Sequence, residues 1–191
     1  MDWALDLAQS PDQRYLVVAY DLAQSPDYHF LTVAHAPGAL KLWDYAAGRL
    51  EATLAPSSAS SWMSAFSPNG RLLASEVDGV VRVWEVASRR EVAVLRSHAN
   101  AATSVGFSPD GRRVVTGSYV GGSLGEVARV WDFVAQRDLI RLRGRGTFAG
   151  WTAFSPDGNM VLAVSWAGVA ELWRAPSWAE IDAADKGQAA Q

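Results

Sequence analysis

Hydrophobic residues along this chain fall into short runs, each fenced by Gly, Pro, Ser or Asp. The runs come in sets. One set occupies residues 62–66, 72–75, 80–84 and 91–95, and the next occupies 103–107, 114–118, 127–131 and 138–142. An earlier set runs through residues 22–24, 30–34, 39–45 and 49–54, and the last covers 151–154, 160–164 and 169–173. Runs this short, rich in β-branched and aromatic residues and bounded by turn formers, predict β-strands. The third run of each set is almost wholly apolar around a tryptophan, which predicts burial on both faces. The fourth alternates apolar with charged residues, as in Arg137-Asp-Leu-Ile-Arg-Leu142, and suits a half-exposed outer edge.

The sets are copies of one another. Phe107-Ser-Pro-Asp-Gly-Arg112 is answered by Arg129-Val-Trp-Asp132, Phe66-Ser-Pro-Asn-Gly-Arg71 by Arg82-Val-Trp-Glu85, and Phe154-Ser-Pro-Asp-Gly158 by Glu171-Leu-Trp173. An earlier version reads Ser25-Pro-Asp27 with Lys41-Leu-Trp-Asp44. The anchors Trp43, Trp84, Trp131 and Trp173 stand 41, 47 and 42 residues apart, a period that marks a repeat architecture. The Ser-Pro-Asp-Gly segments predict hairpin turns. Proline presets φ for the first corner, aspartate bonds the local backbone, and glycine accepts a left-handed exit.

Both ends depart from the period. Asp6-Leu-Ala-Gln-Ser-Pro-Asp12 recurs unchanged as Asp21-Leu-Ala-Gln-Ser-Pro-Asp27, an offset of 15 residues that is too short for a whole unit. Residues 1–21 are therefore expected to be a strand–turn–strand fragment. After Trp173, Ser177 and Glu180 have capping-box spacing and predict a short helix within 177–186. Ile181 lies eight residues past Trp173, as Val92 and Leu139 do past their tryptophans, so a fourth strand competes with that reading.

Taken together, these residues resemble the WD40 repeat over about residues 22–174. The resemblance implies an all-β fold of β-propeller blades, each a four-stranded antiparallel sheet. Blades are expected at about 22–55, 56–96, 97–143 and 144–176, with a partial blade at 1–21 and a tail at 177–191. The tail around residues 172–181 resembles the end of bacterial WD40 propellers, some of them joined to serine/threonine kinases. Seven or eight blades usually close such a ring, so four and a fraction imply an open or incomplete propeller. A remnant of a longer array, a tightened small ring and a homodimer joined through open blade edges are the three outcomes. The family's buried network implies structural roles for Asp78 with Ser75 and Trp84, and for His98 with Thr116 or Ser118 and Trp131. In the third unit an enlarged loop, Tyr119-Val-Gly-Gly-Ser-Leu-Gly-Glu126, stands where the network aspartate would be.

Composition narrows the function. The net charge of −3 leaves no basic footprint for nucleic acid. The absence of cysteine rules out a disulfide framework or thiolate site and fits a cytoplasmic protein. Met1-Asp-Trp-Ala-Leu is not a secretory leader, and no apolar run approaches a membrane span. His29, His35 and His98 have no metal-ligand spacing, and no serine sits in a nucleophile elbow. Gly121-Gly-Ser-Leu-Gly125 lacks the Gly-Lys ending of a phosphate loop. No catalytic residue, cofactor or metal is expected. The resemblance implies a protein-interaction platform with a protein partner. Candidate contacts are Tyr119 and Leu124 in the enlarged loop, with Trp62, Trp151 and Trp166; each aromatic is equally suited to the core between blades. A ligand-binding or enzymatic central channel and a decayed array without activity are the alternatives.

Overall fold

The computed structural model describes residues 6–9, 16–19, 21–24, 30–34, 40–44, 47–55, 63–96, 102–118, 125–144, 150–165 and 168–174. Among these, every regular element is a strand. β1 (Asp6–Gln9) and β2 (Leu16–Ala19) pair as an N-terminal hairpin. The first unit is β3 (Asp21–Gln24), β4 (Phe30–Ala34), β5 (Lys41–Asp44) and β6 (Arg49–Thr53). The second is β7 (Ser64–Phe66), β8 (Leu72–Val77), β9 (Val80–Glu85) and β10 (Arg90–Leu95). The third is β11 (Ala102–Phe107), β12 (Arg113–Ser118), β13 (Glu126–Asp132) and β14 (Arg137–Arg143). The fourth is β15 (Trp151–Phe154), β16 (Met160–Val164) and β17 (Ala170–Arg174). Each unit is an antiparallel sheet whose strands follow chain order. The expected helix or strand at 177–186 lies outside the described residues.

The turns account for this meander. Between β8 and β9 only Asp78 and Gly79 intervene, with φ of 53° and 82°. That double left-handed corner is the two-residue hairpin turn that Asp-Gly favours. Between the third and fourth strands the acid after each tryptophan closes a longer turn. Asp44 Oδ1 accepts the Ala47 N–H at 2.8 Å, and Asp132 Oδ1 accepts the Ala135 N–H at 2.9 Å. In the second unit Glu85 accepts the Ser88 hydroxyl instead. Each of these turns ends in a left-handed residue: Gly48 (φ 62°), Arg89 (φ 59°) and Gln136 (φ 52°).

Packing follows from two-faced sheets. Call the face toward the preceding unit trailing and the other leading. The inner strands β3, β7, β11 and β15 neighbour one another in turn, and β1 neighbours β3. The core is then three separate seams. Leu40, Leu42 and Ala55 of the first unit meet Leu73, Val77, Trp84 and Val86 of the second. Ala74, Val81, Val83 and Leu95 of the second meet Val105, Val114, Trp131 and Phe133 of the third. Val115, Ala128, Val130 and Leu142 of the third meet Val161, Ala163 and, partly buried, Phe154 and Trp173 of the fourth. β9 and β13 are largely buried and the fourth strands half exposed, as their patterning predicts. β17 departs from the expectation of a third strand buried on both faces. Its alternate residues Ala170, Leu172 and Arg174 are exposed, because no unit covers the leading face of the fourth sheet.

A non-glycine residue held left-handed costs about 1–2 kcal/mol, partly offset by the flexibility that glycine adds to the unfolded chain. Gln136 is exposed, and Gly48 shows that the turn accepts glycine. Gln136→Gly is expected to raise the urea unfolding free energy by up to about 1 kcal/mol. A measured loss of stability would show that the side chain does more than occupy the corner.

Candidate functional site

The repeated polar residues are the obvious place to look for chemistry, and the Ser-Pro-Asp-Gly turn is the most regular of them. In the third unit the Ser108 hydroxyl donates to Asp110 Oδ1 and accepts the Arg113 N–H at 2.9 Å, while Asp110 Oδ1 also accepts the Arg112 N–H at 3.0 Å. The Gly111 N–H returns to the Ser108 carbonyl at 2.8 Å with φ of 68°. The fourth unit repeats these bonds through Ser155, Asp157, Asn159 and Met160. The second uses Ser67, Asn69, Arg71 and Leu72, with Asn69 in the aspartate's place. The aspartates are thus turn formers, as expected. The serine is the residue that sequence reasoning undervalued. Ser67 and Ser108 are fully buried, and each ties both ends of its loop together. Its recurrence in every copy was the available signal.

The tryptophans are anchors. Trp84 and Trp131 are 3% and 5% exposed, whereas Trp43 and Trp173 are half-buried. Each pairs across its sheet with an aliphatic residue of the second strand: Leu31, Leu73, Val114 and Val161 face Trp43, Trp84, Trp131 and Trp173. The Trp131 indole N–H donates to Thr116 Oγ1 at 3.0 Å, which forms the Thr116 branch of the expected network. Ser118 turns instead to the Glu126 carbonyl at 3.0 Å. In the second unit the Ser75 hydroxyl donates to the Met63 carbonyl at 3.0 Å and accepts from Ser64 at 2.9 Å. Asp78 sits in its left-handed turn with an exposed side chain. The neighbouring Glu76 is buried, and its carboxylate accepts the Gly79 N–H at 2.5 Å. His98 lies outside the described residues.

Of the five candidate contact residues, Tyr119, Leu124, Trp62 and Trp166 lie outside the described residues. Trp151 is 49% exposed, and it lies in β15 rather than in a loop. Its cross-strand partner is Val164, which in turn faces Ala170, so the three share the uncovered leading face. The seam between the third and fourth units carries polar groups that the sequence did not signal. Ser104 and Thr152 share a buried hydroxyl–hydroxyl bond of 2.8 Å across it. Arg113, also buried, places its guanidinium 5.4 Å from the Phe154 ring centroid and donates to the Gly158 carbonyl at 3.3 Å. Burial pulls Arg113 below the ordinary arginine value while Asp110 opposes the shift. Among the described residues no cluster of three or more His, Asp or Glu side chains is placed to hold a metal.

The turn aspartates give the fold a measurable acid sensitivity. Burial works against the charge of Asp110, but the Ser108 hydroxyl, the Arg112 N–H and the nearby Arg113 and Arg112 cations hold its carboxyl below the usual range. At Asp157 the Ser155 hydroxyl and then the Asn159 N–H do the same, and at Asp138 the leading cause is the bond from Arg141. A carboxyl depressed on folding stabilises the native state above its unfolded pKa, and that contribution is lost as pH falls through the lower folded value. The loss therefore belongs below about pH 4. Asp110→Asn copies the natural Asn69 turn, so it should keep neutral-pH stability within about 1 kcal/mol. It should also lose less stability than the parent between about pH 4 and 2. Urea unfolding across that range checks both, and an unchanged pH slope would acquit Asp110.

Two stretches, residues 50–85 and 89–132, match the family model for the WD domain, G-beta repeat. Each begins on or just before the fourth strand of one unit and ends with the third strand of the next. No curated protein sequence matches the chain. Among solved structures, a chain of Kuenenia stuttgartiensis hydrazine synthase has a TM-score of 0.70 at 16% identity, over 82% of this chain and 46% of that one. The present chain thus spans about half the length of that structure, and at this identity the likeness is one of fold. With successive WD repeats in its sequence and the blade meander in its sheets, the chain is a WD40-repeat protein.

Proposed function

We propose that the chain is a cytoplasmic, non-catalytic scaffold for protein–protein interaction. One observation carries this reading: the polar residues that recur from unit to unit are consumed by the fold itself. The Ser-Pro-Asp hydroxyls and carboxylates close hairpins, the acid after each tryptophan closes the next turn, and Thr116 serves Trp131. What differs between units is loop length and loop chemistry, and in WD40 repeats generally such surfaces mediate protein contacts. The enlarged loop of residues 119–126 is the first candidate for a partner-specific contact, with Tyr119 and Leu124 as its apolar residues. Replacing that loop by a short Asp-Gly turn should abolish capture of a protein partner while leaving the urea unfolding midpoint unchanged. Capture that survives the replacement would remove the loop from the contact surface.

A second reading is favoured by the bare face of the fourth unit and by the 46% share of the hydrazine synthase chain that this fold fills. In it, two copies join as four plus four units. Light scattering should then give a particle of twice 20.6 kDa, and a stable monomer at all concentrations would dismiss the pairing.

A further inference from the structure

The leading face of the fourth unit can be compared position by position with the same face of its two predecessors. The residue before each anchor tryptophan is Val83, Val130 or Leu172. Val83 is 0% exposed and Val130 1%, whereas Leu172 is 59% exposed. The residue that opens the second strand after the Ser-Pro-Asp-Gly turn is Leu72, Arg113 or Met160. Leu72 packs into the seam with the third unit, and Arg113 reaches Phe154 and Gly158 of the fourth. Met160 is 37% exposed. On the first strand, Met63 packs into its seam and Ser104 bonds Thr152, while Trp151 stands 49% exposed. Cross-strand pairing brings these positions onto one surface. Trp151, Val164 and Ala170 form one row, and Ala153, Leu162 and Leu172 form the next.

The chain itself shows what fits such a surface. Twice it covers the equivalent face with a sheet carrying Phe, Val and Trp: Phe107, Val114 and Trp131 over the second unit, and Phe154, Val161 and Trp173 over the third. In a solution of this chain alone, the uncommitted end of the same kind is the N-terminal end of another copy. There the Leu31–Trp43 pair repeats the register of Leu73–Trp84 and Val114–Trp131, and Trp43 is only half-buried. We infer that the exposed face of Trp151, Met160, Leu162 and Leu172 docks the N-terminal end of a second copy, reciprocally, so that two chains close on each other through two equal seams. Because the two ends are different surfaces, a reciprocal two-fold arrangement satisfies both at once, where a single head-to-tail contact would propagate. This rests on the reading that two copies pair, and it names the surface by which they do so.

The test is light scattering on the whole chain beside Leu172→Asp. A charge at a position exposed in the single chain leaves the unit's own fold intact but cannot be buried unpaired in a seam. The expected result is a parent of twice 20.6 kDa and a variant of half that mass with an unchanged urea midpoint at low concentration. Should Leu172→Asp fail to fold, Met160→Lys poses the same question on the same face. A parent that pairs and a variant that still pairs would overturn the docking surface while leaving the pairing itself standing. A parent that is monomeric throughout would overturn both. The occupant is checked separately, because the chain has no cysteine of its own. Leu172→Cys under oxidising conditions should give no disulfide-linked dimer, whereas efficient 172-to-172 linkage would mean that like faces meet and would refute the N-terminal end as the occupant.

Discussion

A β-sheet that is apolar on both faces cannot stand alone in water, and that constraint governs this molecule. β9 and β13 bury residues of both alternations, so each sheet needs a neighbour on either side. The neighbours are the preceding and following copies of the same unit. The result is three cores of modest size in series rather than one large core. Stability in such a stack is a sum of unit and seam contributions, and no residue needs to reach beyond the adjoining sheet. The serine clamps and acid-closed turns keep each meander flat and in register, so that its faces present the right rows to the next.

Much of this was legible in the residues. Strand positions followed from apolar runs separated by Ser-Pro-Asp-Gly and the turn after each tryptophan, because turn chemistry depends on neighbours a few residues away. The half-exposed fourth strands followed from their alternation, as in β14. What stayed hidden depends on residues far apart in the chain. Nothing in Arg113-Val-Val says that its guanidinium will lie over Phe154 of the next unit, since the equivalent residue is Leu72 in one copy and Met160 in another. Trp151 was grouped with loop aromatics because its composition suits a contact residue. Its real position is fixed by pairing with Val164 on a sheet face. The exposure of β17 is the clearest case: its sequence resembles that of β9, and only the number of following sheets distinguishes the two.

The sequence match also shows that the unit of homology and the unit of packing are out of phase. Residues 50–85 and 89–132 each span one outer strand and the three inner strands of the next sheet. Every matched segment therefore crosses a seam, and neighbouring sheets are laced together covalently as well as packed. The arrangement couples each unit's outer edge to the position of its successor.

The seams are not equal, and this has a mechanical consequence. The joint between the second and third units is lined by Ala, Val, Leu, Trp and Phe, whereas the joint between the third and fourth includes the Ser104–Thr152 hydroxyl pair and the Arg113 guanidinium. Water can replace hydroxyl and guanidinium partners far better than it can solvate Val83 or Phe133. The chain thus contains a built-in weak link. Under heat or load the fourth sheet should detach as its own cooperative unit before the second and third part company. In hydrogen exchange, β15–β17 amides would then become labelled while those of β8 and β9 stay protected.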